Sequence, residues 1–355
     1  MQRRLRVCGE LPPRHSRGAA SSSRTEAPGA RVRYEAPVDR IELQDGHFRA
    51  AFIGAERIEA RSCVLAAGGF ESNREWLREA WGVNDRGEWP ADNFLIRGTR
   101  FNTGTLLRFM MNAGADVIGD PTQAHMVAID ARAPLYDGGI CTRIDAVTLG
   151  VVVNRAAERF YDEGEDFWPK RYAIWGRLIA QQPGQIAWSI IDAKAIGRFM
   201  PPVFPGVQAA TLAELAQQLG LDTVRFVDTL QRYNSACRAG TFDHTTLDDC
   251  RTEGLVPNKT HWAQRLDTPP FHAYPLRPGI TFTYLGVKVD ERARVVMKGG
   301  VSENIFAAGE IMAGNILGRG YVAGVGMTIG TVFGELAGRA AFAPPALRRA
   351  RDSHG

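Results

Sequence analysis

The stretch from Glu303 to Gly338 limits what this chain can become more than any other. It reads ENIFAAGEIMAGNILGRGYVAGVGMTIGTVFGELAG. An apolar run, Asn304 to Ala308, ends in Gly309-Glu310, closely spaced glycines follow, and a helical pattern runs from Met327 to Ala341. A short apolar run closed by glycine is expected as a buried strand. In a nucleotide-binding sheet, ligands sit beyond the carboxyl ends of such strands. The glycine lets backbone approach closely, and the Glu310 carboxylate can accept hydrogen bonds from sugar or ribityl hydroxyls. Gly314, Gly318, Gly320, Gly324, Gly326 and Gly330 come next. N–H groups at the start of the helix behind them attract electron-rich groups such as flavin carbonyls. A plain strand-to-loop turn and tight helix packing are the bland alternatives. The pair Gly68-Gly69, closing RIEARSCVLAAGG, is a second candidate contact. No strand–GxGxxG–helix occurs in the chain, so the pyrophosphate fingerprint is absent.

The net charge of +4 conceals an uneven distribution: residues 1–33 hold eight arginines and two glutamates, which leaves −2 for the rest. Such a body has no electrostatic footprint for nucleic acid. No apolar run approaches the ~18 residues a membrane span needs. Cys8, Cys63, Cys141, Cys237 and Cys250 show no CxxC spacing, which fits reduced thiols in the cytoplasm and no metal site. Residues 1–30 lack any period and cannot bury enough apolar surface to fold. They are expected to be a disordered or non-native leader, read either as a transit peptide or as sequence from a misplaced start. Residues 343–355 are expected to be a disordered tail.

Strands are expected at Val32–Ile41 and His47–Ile53 around the turn Asp45-Gly46, and again from Arg57 to Ala67. Helices are expected at Ser72–Trp81 and Thr105–Ala113. Thr211 to Glu214 forms a capping box opening a helix over Leu212–Leu219, and a second helix runs from Asp222 to about Ala239. Thr241 to Pro275 is expected to be irregular. Gly286–Val289 and Arg294–Met297 are expected as short strands.

Six stretches together resemble the fumarate reductase/3-ketosteroid dehydrogenase group of FAD oxidoreductases, closest to its tricarballylate dehydrogenases. They are VLAAGGFESN (64–73), RGTRFNTG (97–104), QAHM (123–126), ERFYDEGEDFWPKRY (158–172), RPGITFTYLGVKVD (277–290) and the 303–338 segment. The resemblance implies an α/β fold with α+β elements. A discontinuous, glutathione-reductase-like FAD-binding domain would occupy 31–122 and 282–342, missing its N-terminal βαβ unit. An α+β substrate-capping domain would be inserted at 123–281.

The same resemblance implies cofactor contacts at Ala67, Gly68, Gly69, Gly309, Glu310, Gly324 and Thr328. It implies substrate contacts at His125, Arg319, Thr103 and Tyr321, and catalytic roles for Arg171, Lys170, Arg319 and His125. Three bases stay open: Arg171 relayed through Asp162, Glu163 or Asp166; Lys170 with a pKa lowered by burial; and Tyr172. Arg97, Arg100 and Arg143 are further cations. A family histidine is replaced within Thr281-Phe282-Thr283, which argues against fumarate.

The implied activity is FAD-dependent desaturation of a small di- or tricarboxylate, tricarballylate to cis-aconitate. Arginines suit it because bidentate arginine–carboxylate pairs hold and orient a polyanion. A separate electron acceptor is required, for which a membrane-associated carrier is one option. The alternatives are a fumarate reductase-like or 3-ketosteroid dehydrogenase-like flavoprotein, or a truncated, non-catalytic fragment. A steroid site would be apolar and tyrosine-rich.

Overall fold

The computed structural model describes residues 31–138 and 140–343. The expectations for residues 1–30 and for most of the tail lie outside them.

One part of the fold is built around two small sheets. The first is an antiparallel meander of β1 (Arg40–Gln44), β2 (His47–Ile53) and β3 (Glu56–Glu59). Asp45 and Gly46 turn between β1 and β2 with φ of 52° and 76°, the left-handed pair that tight hairpins favour. The second sheet contains β4 (Cys63–Leu65), β13 (Arg294–Met297) and β14 (Gly300–Ala307). β4 and β14 run parallel, with Leu65 beside Ala307. Their carboxyl ends therefore leave the sheet together, and the Ala308 N–H donates to the Leu65 carbonyl at 2.9 Å. This pairing brings Gly68-Gly69 and Gly309-Glu310 side by side, although 240 residues separate them in sequence.

Helices α1 (Arg74–Trp81), capped by the Asn73 side chain, and α2 (Thr105–Asn112) pack into the same core. Phe70, Trp76, Leu107, Met110, Ile305 and Ile311 are buried there. Two short strands follow, β5 (Leu95–Ile96), which pairs into the larger sheet, and β6 (Val117–Ile118).

A larger, six-stranded sheet joins β5, β7 (Ala124–Asp130), β8 (Val151–Asn154), β9 (Ala187–Ile191), β10 (Val207–Ala209) and β11 (Phe271–Thr283). Every residue of β7, β8 and β9 is buried. Alternation along β9 serves two layers at once. Trp188 and Ile190 face α5 (Leu212–Leu219) and α6 (Thr223–Ala236), while Ala187 and Ile191 share a core with α4 (Trp175–Ala180). Helix α3 (Trp168–Arg171) leads into α4, and α7 (Val325–Phe342) closes the chain against β14. β12 (Gly286–Val287) pairs with β6.

β11 joins the two halves. Its first residues pair with β10 and β9, and its last with β7 and β5. Pairing with β7 skips Thr281, a bulge that re-aims the side chain beside it.

Several boundaries differ from expectation. The first strand starts at Arg40 because residues 32–36 are largely exposed and bury no face. Arg57–Ala67 divides into β3 and β4, which belong to different sheets. The helix opened by Asp222 stops at Ala236, where Cys237 turns extended. The segment expected to be irregular up to Pro275 already contains the start of β11. No helix of the described residues is long and apolar enough to cross a membrane.

Candidate functional site

Beyond the carboxyl end of β14 lies a cleft of about 420 Å³. Arg97 follows β5, His125 lies on β7, and Arg143 and Tyr172 complete that wall. The C-terminal segment supplies Gly309, Glu310, Tyr321 and Gly326. The bulge contributes Thr281 and Phe282.

Arg97 carries the site's clearest electrostatic anomaly. It is only 6% exposed, yet among the described residues no carboxylate pairs with it. Its Nη1 donates to Thr281 Oγ1 at 2.9 Å and its Nη2 to the Ile140 carbonyl at 3.1 Å. Its Nε is buried with no partner. Burial, and then the charge of Arg143, depress its pKa, against the opposing pull of Asp137 and Asp145. A buried cation with no carboxylate in direct contact is costly unless an anion completes the site. Arg143, half-buried, is paired with Asp145 at 2.5 Å and stands over the Tyr172 ring.

His125 sits on β7 opposite Phe282 of β11, and the His125 ring packs against Tyr321 at 4.2 Å between centroids. Its Nε2 is 2.9 Å from Tyr172 Oη, and its Nδ1 has no partner. Burial, and then Arg97, push its pKa down to about 3. Burial likewise raises Tyr172 to about 12. Both groups are therefore neutral around pH 7, a hydrogen-bonded pair with one free ring nitrogen.

On the floor, Glu310 Oε1 accepts the Thr283 N–H at 2.9 Å. A Cβ on Gly69 would lie 2.2 Å from that same oxygen, so only glycine fits. Gly309 and Gly324, with φ of 77° and 94°, have nothing within 4 Å of where a Cβ would stand. That leaves open space along the backbone at the end of β14 and the start of α7. The Gly326 N–H donates to Tyr321 Oη at 3.1 Å, which ties Tyr321 to the first turn of α7.

The cleft unites His125, Tyr321, Gly309 and Glu310 from the sequence-derived set, with Gly69 against Glu310. Gly68 instead packs against Asn102, and Ala67 follows β4 at the edge of the same core. Arg171, Lys170, Arg319, Thr103, Gly324 and Thr328 are not among the lining residues. Arg171 pairs with Glu165 at 3.0 Å, its Nε buried without a partner, and the exposed Lys170 pairs with Asp166 at 3.1 Å. One residue further on, the helical turn brings Tyr172 inward. Arg319 is exposed, Thr103 Oγ1 meets Thr105, and the Thr328 hydroxyl donates to the Gly324 carbonyl. The relay carboxylates are engaged elsewhere: Glu163 with Arg159, Asp162 with Thr260, and Asp166 with Lys170. Arg97 and Arg143 line the cleft, and Arg171 and Lys170 do not. The signal for Arg97 was its position at the head of RGTRFNTG. No group of three or more potential metal ligands occurs among the described residues.

A family model described as "FAD binding domain" matches residues 16–326. The 4-oxocyclohex-2-ene-1-carboxylate 5-dehydrogenase of Sinomonas cyclohexanicum is 28% identical over 350 residues, covering 88% of this chain and 56% of that protein. Two solved structures share the fold. A flavocytochrome c3 fumarate reductase, 22% identical, has a TM-score of 0.61 over 86% of this chain and 51% of its own. The 3-ketosteroid delta1-dehydrogenase of Sterolibacterium denitrificans, 20% identical, has a TM-score of 0.64 over 86% and 59%. The chain spans 26% to 56% of the length of the first curated relatives it matches.

Proposed function

The chain belongs to the FAD binding domain family, and from that premise we propose that it is an FAD-dependent oxidoreductase acting on a C–C bond of a small polycarboxylate, with tricarballylate as substrate. FAD is the cofactor of this family, and the site fits it. The open backbone at Gly309 and Gly324 can admit a flat ring and its ribityl chain, and Glu310 can accept from ribityl hydroxyls. When bound, FAD accepts or gives the hydride.

The observation that carries the substrate reading is Arg97, a buried cation with a free Nε and no carboxylate partner among the described residues. An anionic substrate supplies what it lacks. Arg97 and Arg143 would clamp two carboxylates, acidify the C–H between them and fix its angle to the ring. His125 Nδ1 would bond a third polar group. Tyr172 Oη would take the proton from the neighbouring carbon as its own proton passes to His125 Nε2, an acid/base role that its place in the cleft supports better than those of Arg171 or Lys170. Electrons would then leave to a separate acceptor.

A second reading has its own observation: Tyr172, Tyr321 and Phe282 surround His125 as an aromatic wall. Such a wall suits a ring ketone, and a cyclic oxo-acid would satisfy it and Arg97 together. The test is turnover with an artificial dye acceptor on tricarballylate, succinate, a cyclohexenone carboxylate and a 3-ketosteroid. The proposal expects the polycarboxylate to be fastest. Turnover of the uncharged steroid alone would refute it.

A further inference from the structure

Residues 142–144 run extended beside β7. The Asp130 N–H donates to the Thr142 carbonyl at 2.9 Å, the Ile144 N–H donates to the Ala128 carbonyl at 3.1 Å, and Arg143 bridges to Ile129. In an extended chain, side chains two residues apart share a face. Arg143 and Asp145 therefore meet: Arg143 Nε and Nη2 donate to the two Asp145 oxygens at 2.5 and 2.7 Å. On a helical turn, residues four apart share a face. Across α3 and the turn after it, Trp168 and Tyr172 do so, with ring centroids 6.3 Å apart. The two pairs then meet member to member. Trp168 Nε1–H donates to Asp145 Oδ1 at 2.7 Å, and the Arg143 guanidinium stands 5.0 Å from the centre of the Tyr172 ring.

Arg143 and Tyr172 line the cleft, whereas Asp145 and Trp168 stand behind them. A free arginine side chain samples many rotamers, and a two-point carboxylate contact holds its guanidinium in one plane. The carboxylate is held in turn by the indole. With Nε and Nη2 engaged by Asp145, Arg143 Nη1 keeps no partner among the described residues. The Asp145 charge also balances Arg143, which lets a second guanidinium share the cleft with Arg97.

Resting on the reading that the substrate carries more than one carboxylate, we propose that Asp145 and Trp168 are positioning residues. They brace Arg143 so that its Nη1 meets the second carboxylate end-on while its other edge stays with Asp145. The brace is what separates a polycarboxylate from a monocarboxylate of the same length.

Two measurements test the brace and its role separately. The first uses the full chain without substrate and follows the indole N–H resonance of Trp168 in a 15N-correlated spectrum, assigned by its loss in W168F. It is expected to move in D145N, and a resonance that stays in place overturns the brace itself. The second is calorimetric affinity of the FAD-incubated chain for succinate and for butanoate, which lacks one of the two carboxylates. The parent is expected to prefer succinate by roughly tenfold or more, D145N to lose that preference with butanoate affinity little changed, and W168F to lose part of it, roughly threefold. A D145N protein that keeps the preference, binds succinate more tightly, or loses affinity for both acids equally overturns the positioning role and leaves the polycarboxylate reading standing. A parent without the preference overturns that reading and the role together, and the indole resonance still decides the brace.

Discussion

At the scale of single residues, the cleft is defined by groups whose ordinary partners are missing. Arg97 has a free Nε and His125 a free Nδ1, both buried and both lining the cleft. Buried polar atoms are nearly always satisfied, so two orphans facing one cleft point to a ligand there. Arg97→Gln keeps hydrogen-bonding capacity but removes the charge. Steady-state kinetics should show KM for a polycarboxylate rising roughly 10- to 100-fold, with a smaller change in kcat. Tyr172→Phe should do the reverse, lowering kcat by about 100-fold or more with KM little changed. The depressed pKa of His125 makes a separate prediction about stability. The unfolded chain binds a proton near pH 6.5, whereas the folded chain resists it until about pH 3. Stability is therefore lost as pH falls through that window, at about 1.4 kcal/mol per pH unit from this group. Urea titrations of His125→Gln should show that part of the slope removed. Much of this was hidden in the sequence. Arg97 read as one of several surface cations because nothing local shows that β11 and the segment around Ile140 bury it. Tyr172 is one of three candidate bases, and the one that lines the cleft beside His125.

At the scale of elements, legibility followed periodicity. The capping box at Thr211, with its reciprocal Glu214 bond, and the Asp45-Gly46 turn carry their own local chemistry and formed as read. β7, β8 and β9 are buried on both faces, so they show no polar alternation to betray them. β11 contains Pro275 and Pro278, residues that normally demote a strand, yet it is the longest in the fold. The meeting of the β4 and β14 ends depends on parallel pairing across 240 residues, which no local pattern encodes. That junction can be tested by Gly69→Ala. Its Cβ would stand 2.2 Å from both Glu310 Oε1 and Thr283 Oγ1, so stability should fall by about 1–3 kcal/mol and FAD affinity with it. Gly299→Ala, where nothing lies within 4 Å, should be nearly neutral in the same denaturation assay.

At the scale of the whole molecule, β11 makes one site out of two halves. It carries the six-stranded sheet at one end and, at the other, the bulge that aims Thr281 at Arg97 and sets Thr283 against Glu310. Where the resemblance expected a histidine, Thr281 accepts from Arg97 and Thr283 donates to Glu310. The central claim is that this cleft brings a polycarboxylate against bound FAD. The most direct measurement is anaerobic addition of tricarballylate to the FAD-incubated chain, followed by visible spectroscopy, with Arg97→Gln alongside. The account predicts a bound-flavin spectrum that bleaches in the parent and bleaches only at far higher substrate concentration in the variant. Bleaching at equal concentrations in both, or bound flavin that no polycarboxylate reduces, would contradict it.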